Sequence, residues 1–378
     1  MSMAGRIAAA GLATVSAAFL IKSMSKNKFE SAYGAVSNIK IGWNLGNTLD
    51  AHGKLKGWNK PAKYETAWKN PITEKSMITV IKNAGFNAVR LPVTWYEHCD
   101  TDGDIDTDWL DRVQEIVDYV ISQDMYCILD VHHDAGENGW LCASEECYSK
   151  YARRFEGLWK NIAKRFEPYS DNLLFEGFNE MLDGSYSWDV PKDGKAYGIL
   201  NDFNQLFVDT VRSTGGNNLR RNLVIEVYSA ACTEPVLDAF AMPDDTADGH
   251  IIVQVHNYDP QGFTFPKAPW TTLTDKWGSD DDIKHLDKLF ARLEKYSDKF
   301  GAPMIVGEFG AFDKNNTADR TRYAYEFASR AAAVGIKCFW WDAGGMDILD
   351  RRNRRIKFPT IAAALVRGAE RKPLDIKA

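Results

Sequence analysis

The chain has 378 residues, 45% of them apolar, and a net charge of −6 at neutral pH. It is long enough to bury a large core, as one large or two ordinary domains. The acidic balance argues against nucleic acid as a partner, because that would require a basic face.

Taken from the start, residues 1–24 stand apart. Arg6 precedes the Ala-rich apolar run 7–21, which Lys22 and a Lys/Ser/Asn stretch follow. A short positive start and an apolar middle resemble a secretory signal, with a tag-like segment or an extra helix as alternatives. The run is short for a membrane span, and no other segment is long and apolar enough to be one. The expectation is a secreted protein with no membrane partner in its mature form and a catalytic domain over 25–378.

Eight apolar runs follow, at 39–47, 88–95, 126–133, 173–180, 223–229, 251–258, 304–311 and 336–342. They are near-continuous rather than alternating, as parallel strands covered on both faces are. Helical periods separate most of them, at 73–84, 109–122, 148–166, 200–213, 282–300, 318–334 and 358–367, with the shortest candidate at 235–240. Asp106 and Thr107 are placed to cap the 109–122 helix, with Leu110, Val113, Ile116, Val117 and Val120 on one face. Eight strand–helix units predict a single α/β domain, a (β/α)8 TIM barrel. An open doubly wound sheet is the alternative, but no Gly-rich phosphate turn follows the first strand. No internal repeat or Pro/Gly/Ser-rich linker suggests an appended module.

In a barrel, chemistry belongs at the C-terminal strand ends, and the polar residues cluster there. The ends carry Asn47 and Asp50, then Arg90, His132 and His133, Asn179 and Glu180, His256 and Tyr258, Glu308, and Trp341. Two apolar strands that each finish on a Glu supply what a two-carboxylate sugar hydrolase needs, an acid and a base held on one rim. Arg90, in an otherwise apolar strand, cannot be buried unpaired. Pairing with Glu308 would keep that carboxylate ionised; a structural partner such as Glu176 or Glu226 is the alternative.

The runs Gly42-Trp43-Asn44-Leu45-Gly46-Asn47-Thr48-Leu49-Asp50, Val89-Arg90-Leu91-Pro92-Val93-Thr94-Trp95, Val131-His132-His133, Phe178-Asn179-Glu180, His256-Asn257-Tyr258 and Gly307-Glu308-Phe309-Gly310 resemble those of glycoside hydrolase family 5 endoglucanases. The resemblance runs from about residue 39 to 368. It implies a (β/α)8 barrel that hydrolyses β-1,4-glucan with retention of configuration, with Glu180 as acid/base and Glu308 as nucleophile. It further implies Asn179 on the sugar 2-hydroxyl and His132, His133, His256 and Tyr258 around the reacting sugar. Tyr258 would hydrogen-bond Glu308 or a ring oxygen, Trp341 would form the aromatic floor, and Asn47 and Asp50 would make a further sugar contact. The alternative is the same fold and mechanism acting on xyloglucan, xylan or mannan, since loops decide substrate. A monomer is expected.

Other features point elsewhere only weakly. Adjacent His132 and His133 invite a metal, but consecutive strand residues face opposite ways, so neither a metal nor another cofactor is expected. Residues 100–106 resemble a calcium loop without the sixth-position Gly and twelfth-position Glu, and read better as a solvated turn capping the next helix. Arg351, Arg352, Arg354 and Arg355 read as a solvated loop. Cys142 and Cys147 could close a small disulfide; the six cysteines include no CxxC zinc pattern. The 12 Trp divide between core packing and sugar stacking, and Trp140, Trp188 and Trp270, in loops, could extend a cleft.

Overall fold

Eight parallel strands close on themselves in chain order: β1 (Gly42–Asn44), β2 (Ala88–Leu91), β3 (Tyr126–Asp130), β4 (Leu173–Glu176), β5 (Leu223–Ala231), β6 (Ile251–His256), β7 (Met304–Phe309) and β8 (Lys337–Trp341). The computed structural model describes residues 29–53, 60–191 and 194–374, so the expectation for residues 1–24 lies outside the described residues. The barrel belongs to one compact unit, Ser31–Ala378. Among the described residues no helix is long and apolar enough to cross a membrane.

The continuous hydrophobicity of the strands follows from burial on both faces. Val89, Leu91, Cys127, Leu129, Phe175 and Val253 point outward and pack with the surrounding helices. Their neighbours Ala88, Tyr126, Ile128, Leu174, Val224, Ile252, Ile305 and Phe339 form a second cluster with Ala32, Ala35 and Val36 of the helix Ala32–Asn38, which stops the N-terminal end of the barrel. Each fully buried Leu, Ile or Phe contributes roughly 1.5–3 kcal/mol.

The predicted helices are present, with ends shifted by their caps. Asp106 accepts a hydrogen bond from the Asp108 N–H and starts Thr107–Ile121, while Ser144 accepts from Cys147 and starts Glu145–Arg165 three residues before the predicted 148. Seven of the eight strands are shorter than expected, chiefly at their C-terminal ends, while β5 runs two residues beyond the expected 229. The residues trimmed off leave the hydrogen-bonded ladder to form the mouth, where Glu180 adopts a left-handed φ of 46°. A small antiparallel pair, Leu349–Asp350 with Arg355–Ile356, follows β8.

Candidate active site

Above the apolar plug the inward strand positions turn polar. Arg90, fully buried on β2, organises this layer. Its Nε and Nη2 donate to both oxygens of Glu176 (2.8 and 2.6 Å), its Nη1 to Glu308 (2.7 Å) and Asn44 (3.1 Å), and Nη2 also to Asn179 Oδ1 (2.7 Å). Asp130 lies 3.0 Å away. Both alternatives read from the sequence therefore occur together: Arg90 pairs with Glu308 and also with structural carboxylates. The fork geometry of a guanidinium is what lets one cation serve three acids.

Strict alternation would turn Glu308 away from Ile305, an inward residue of β7. A register shift between Val255/His256 of β6 and Val306/Glu308 of β7 resets the pleat, as bulges do when they re-aim a side chain. Gly307 allows it, since a Cβ there would sit 2.3 Å from the Gln254 amide. Glu308 then faces the mouth, its Oε1 held by Arg90 and its Oε2 accepting the Tyr258 hydroxyl at 2.8 Å.

Glu180 approaches from β4. Its left-handed backbone costs about 1–2 kcal/mol for a residue with a Cβ and is held by its N–H donating to Glu226 Oε2 at 2.6 Å. Its Oε1 lies 2.7 Å from His256 Nδ1, and its side chain is 24% exposed, against 6% for Glu308. One oxygen of Glu180, one of Glu308 and a His256 nitrogen lie within 4.8 Å of one another. Burial pushes the Glu180 carboxyl up to about 7. Burial also raises Glu308, opposed by His256, Arg90 and the Tyr258 hydroxyl, while Glu180 adds to the rise. Of this coupled pair Glu308 ionises first, because two donors, one cationic, favour its anion. Burial lowers His256 to about 4, leaving it neutral at pH 7.

The remaining residues expected in the site lie around the same mouth, except that Asp50, expected to contact sugar, is buried below it. Asn179 is nearly buried and its side chain also bonds Glu180. Trp341 lies parallel to His132, ring centroids 5.9 Å apart, while Trp340 points the other way, fully buried, with its Nε1 on Met346 O. Gly46 leaves room for Trp341: a Cβ there would lie 2.7 Å from the indole. Asp50 is fully buried and accepts the N–H groups of Asn47 and Thr48, so it braces the turn beneath the cleft surface. Burial raises its carboxyl to about 7.

Two expectations need correction. His132 and His133 do not face opposite ways: β3 ends at Asp130, pleat alternation stops there, and their ring centroids are 4.5 Å apart. Arg351 is not solvated. It is 6% exposed, donates to Gly46 O (2.9 Å) and Thr48 Oγ1 (2.8 Å) and pairs with Asp342 (3.2 Å), tying β8 to the turn after β1.

Among the described residues two groups have metal-ligand spacing, Asp50/His132/His133 and Glu180/His256/Glu308. Most of their donor atoms are already committed: His132 Nδ1 to Asp130 at 2.7 Å, Asp50 to backbone N–H groups, and Glu308 to Arg90 and Tyr258. The guanidinium beside Glu308 also repels a second cation.

Of the loop tryptophans, Trp140 is packed, bonded to Asp134 at 2.6 Å, whereas Trp188 and Trp270 are 66% and 69% exposed. In the 100–106 segment Asp100 Oδ1 accepts the N–H groups of Asp102 and Asp104, a self-contained turn. Cys142 and Cys147 are free thiols, the Cys142 N–H donating to Cys147 Sγ at 2.9 Å.

Sequence reasoning gave no site role to three residues. Asp130 orients His132, and Glu226 was weighed only as a structural partner for Arg90. Trp68, from a loop, packs with His52 and His133 (centroids 5.2 and 5.6 Å). The one available signal was the inward parity of Asp130 and Glu226 with Ile128 and Val224.

The model of the cellulase family, glycosyl hydrolase family 5, matches residues 49–347. Endoglucanase A of Clostridium longisporum is 36% identical over 367 residues, covering 92% of this chain and 69% of that protein. Among solved structures, a GH5-4 broad specificity endoglucanase from Ruminococcus champanellensis with bound cellotriose is similar at a TM-score of 0.83 and 36% identity, covering 90% of this chain and 99% of the other. A family 5 glycoside hydrolase from Prevotella bryantii, in complex with a xyloglucan tetradecasaccharide, is similar at a TM-score of 0.83 and 37% identity, with the same coverage.

Proposed function

We propose that this chain, which belongs to glycosyl hydrolase family 5, cleaves internal β-1,4 bonds of cellulose and related β-glucans with retention of configuration. The observation that carries this reading is the approach of Glu180 and Glu308 across the barrel mouth, oxygens within 4.8 Å. A direct displacement needs the carboxyl groups roughly 6.5–9.5 Å apart to admit a water, whereas double displacement uses about 5–5.5 Å.

Ionised Glu308 attacks the anomeric carbon while protonated Glu180 gives its proton to the departing oxygen. Glu180, now a carboxylate, then takes a proton from water, and the hydroxide equivalent opens the glycosyl–enzyme bond. Asn179, whose carbonyl is held by Arg90, turns its amide toward the sugar 2-hydroxyl. His132, His133, His256 and Tyr258 surround the reacting sugar over a Trp341 floor, and Asn47, on the turn braced by Asp50, contacts a further sugar. Xyloglucan is the second substrate favoured, on the likeness to the Prevotella enzyme bound to it. In this reading residues 1–24 direct secretion, 25–378 are the catalytic domain, and the protein acts as a monomer.

Glu308→Ala and Glu180→Gln should each lower hydrolysis of soluble cellulose by roughly 10²–10⁴-fold while leaving thermal unfolding nearly in place. Near-wild-type turnover by either variant rules out the assignment. Product sizing on cellulose, xyloglucan, xylan and mannan ranks the substrates.

A further inference from the structure

Glu226, on β5, is 1% exposed and takes part in no step above. Its ladder neighbour is Gln254 of β6, whose Nε2 donates to Glu226 Oε1 at 2.8 Å. Glu226 Oε2 accepts the Glu180 N–H at 2.6 Å, and His256 Nε2 lies 3.3 Å from both Glu226 Oε1 and Gln254 Nε2. The other nitrogen of that imidazole, Nδ1, lies 2.7 Å from Glu180 Oε1. Glu226, His256 and Glu180 thus form one line, and Glu226 holds the acid/base at both its backbone and its side chain.

The charged groups facing Glu226 are Glu176 from β4, Arg90 from β2, Glu180 after β4 and His256 from β6. The one guanidinium already pairs with Asp130, Glu176 and Glu308. A further buried anion would be uncompensated, and breaking even on such a charge needs a partner. Burial and the negative charges of Glu176 and Glu180 raise the Glu226 carboxyl well above the ordinary range.

We propose that Glu226 is a neutral carboxylic acid whose O–H, beside the Gln254 amide that it holds, donates to His256 Nε2, fixing the imidazole proton on Nδ1 and making Glu226 a positioning residue for Glu180. With Glu226 protonated and the imidazole neutral, His256 Nδ1–H donates to Glu180 Oε1, so that Oε2 of Glu180 carries the proton meant for the leaving group. With one proton fewer in the line, an ionised Glu226 draws the imidazole proton to Nε2, Nδ1 is left bare, and Glu180 would spend its proton there instead. This inference rests on Glu180 being the acid/base only for its kinetic consequence; the tautomer itself does not depend on that role.

Nitrogen NMR of the histidine rings in the full chain, with His256 assigned by its loss in His256→Gln, tests it directly. The expected result at neutral pH is a protonated Nδ1 and a bare Nε2; a protonated Nε2 overturns it. In kinetics, Glu226→Met keeps the volume but removes donor and acceptor. Its kcat should fall about tenfold or more with little change in KM. The alkaline limb of kcat/KM should move to higher pH, because the Glu180 anion loses its Nδ1–H support. Glu226→Gln offers an amide donor to His256 and a carbonyl to the Glu180 N–H, and should recover most of the lost rate with the limb back near its wild-type position. A Gln variant as slow as the Met variant, or a Met variant at the wild-type rate, overturns the proposal. Should both variants misfold, the carboxyl carbon shift of Glu226 in the wild-type chain still decides: the protonated range is expected at neutral pH, and the carboxylate range overturns the proposal. Full activity in Glu180→Gln would remove the role of Glu180 and leave the tautomer result standing, so the two failures are distinguishable.

Discussion

Gly46→Ala tests the platform under the cleft. Its Cβ would lie 2.7, 2.9 and 3.0 Å from Cζ2, Cε2 and Cη2 of Trp341, whereas carbon atoms rest about 3.5–4.0 Å apart. The indole, the more movable partner at an open mouth, must shift or tilt by roughly 1 Å. Overpacking of this kind costs about 1–3 kcal/mol, and a 1 Å misplacement around a reacting centre can cost about 10²-fold in rate. The backbone at Gly46 is not left-handed, so the methyl acts through this contact rather than through strain. The assay is kcat/KM on a cello-oligosaccharide with thermal unfolding in parallel, for Gly46→Ala, Trp341→Ala and the double variant. The methyl should be costly with Trp341 present and nearly neutral without it, since coupling between contacting residues shows as non-additivity. An equal penalty in the Trp341→Ala background refutes the reasoning.

Activity should decline as pH rises through about 7, where Glu180 loses the proton that it must donate; a profile flat well above neutrality would show that Glu180 is not a perturbed acid. Since its folded value lies above the ordinary 4.5, the folded state binds the extra proton, and this contribution to stability is present below 4.5 and lost as pH rises to 7, which urea unfolding across that window would register. Arg90→Met leaves Asp130, Glu176 and Glu308 buried without their cation and should destabilise by about 3–5 kcal/mol; unchanged denaturant midpoints would contradict the pairing. Arg351→Ala strands Asp342 and frees the turn carrying Gly46, so a lower melting temperature should come with a higher KM, and a variant matching wild type in both would show the tie to be idle.

The barrel was readable because parallel strands covered on both faces leave continuous apolar runs, and the strand-end polar residues announced the mouth. What period-2 reasoning could not reach lies where the pleat breaks. The His132–His133 expectation failed because β3 stops at Asp130. Glu308 faces inward only because a bulge resets β7, a shift no side-chain pattern encodes. Arg351 looked like one of four solvated cations; its burial depends on Asp342 and the Gly46 carbonyl, some three hundred residues away in the latter case. Glu226 was legible only as a possible partner for Arg90, because its contacts lie with the Glu180 N–H after β4 and Gln254 on β6, not in its own strand.

One feature of the interior bears on the sugar itself. At the barrel mouth three acids, Asp130, Glu176 and Glu308, gather around the Arg90 guanidinium. Glycosidic cleavage passes through an electron-deficient, oxocarbenium-like ring. A cage with more acid than base, fixed before the sugar arrives, offers that ring a negative field without any dipole having to turn. The scaffold around Glu180 and Glu308 is thus polarised in the sense that the proposed bond-breaking step requires.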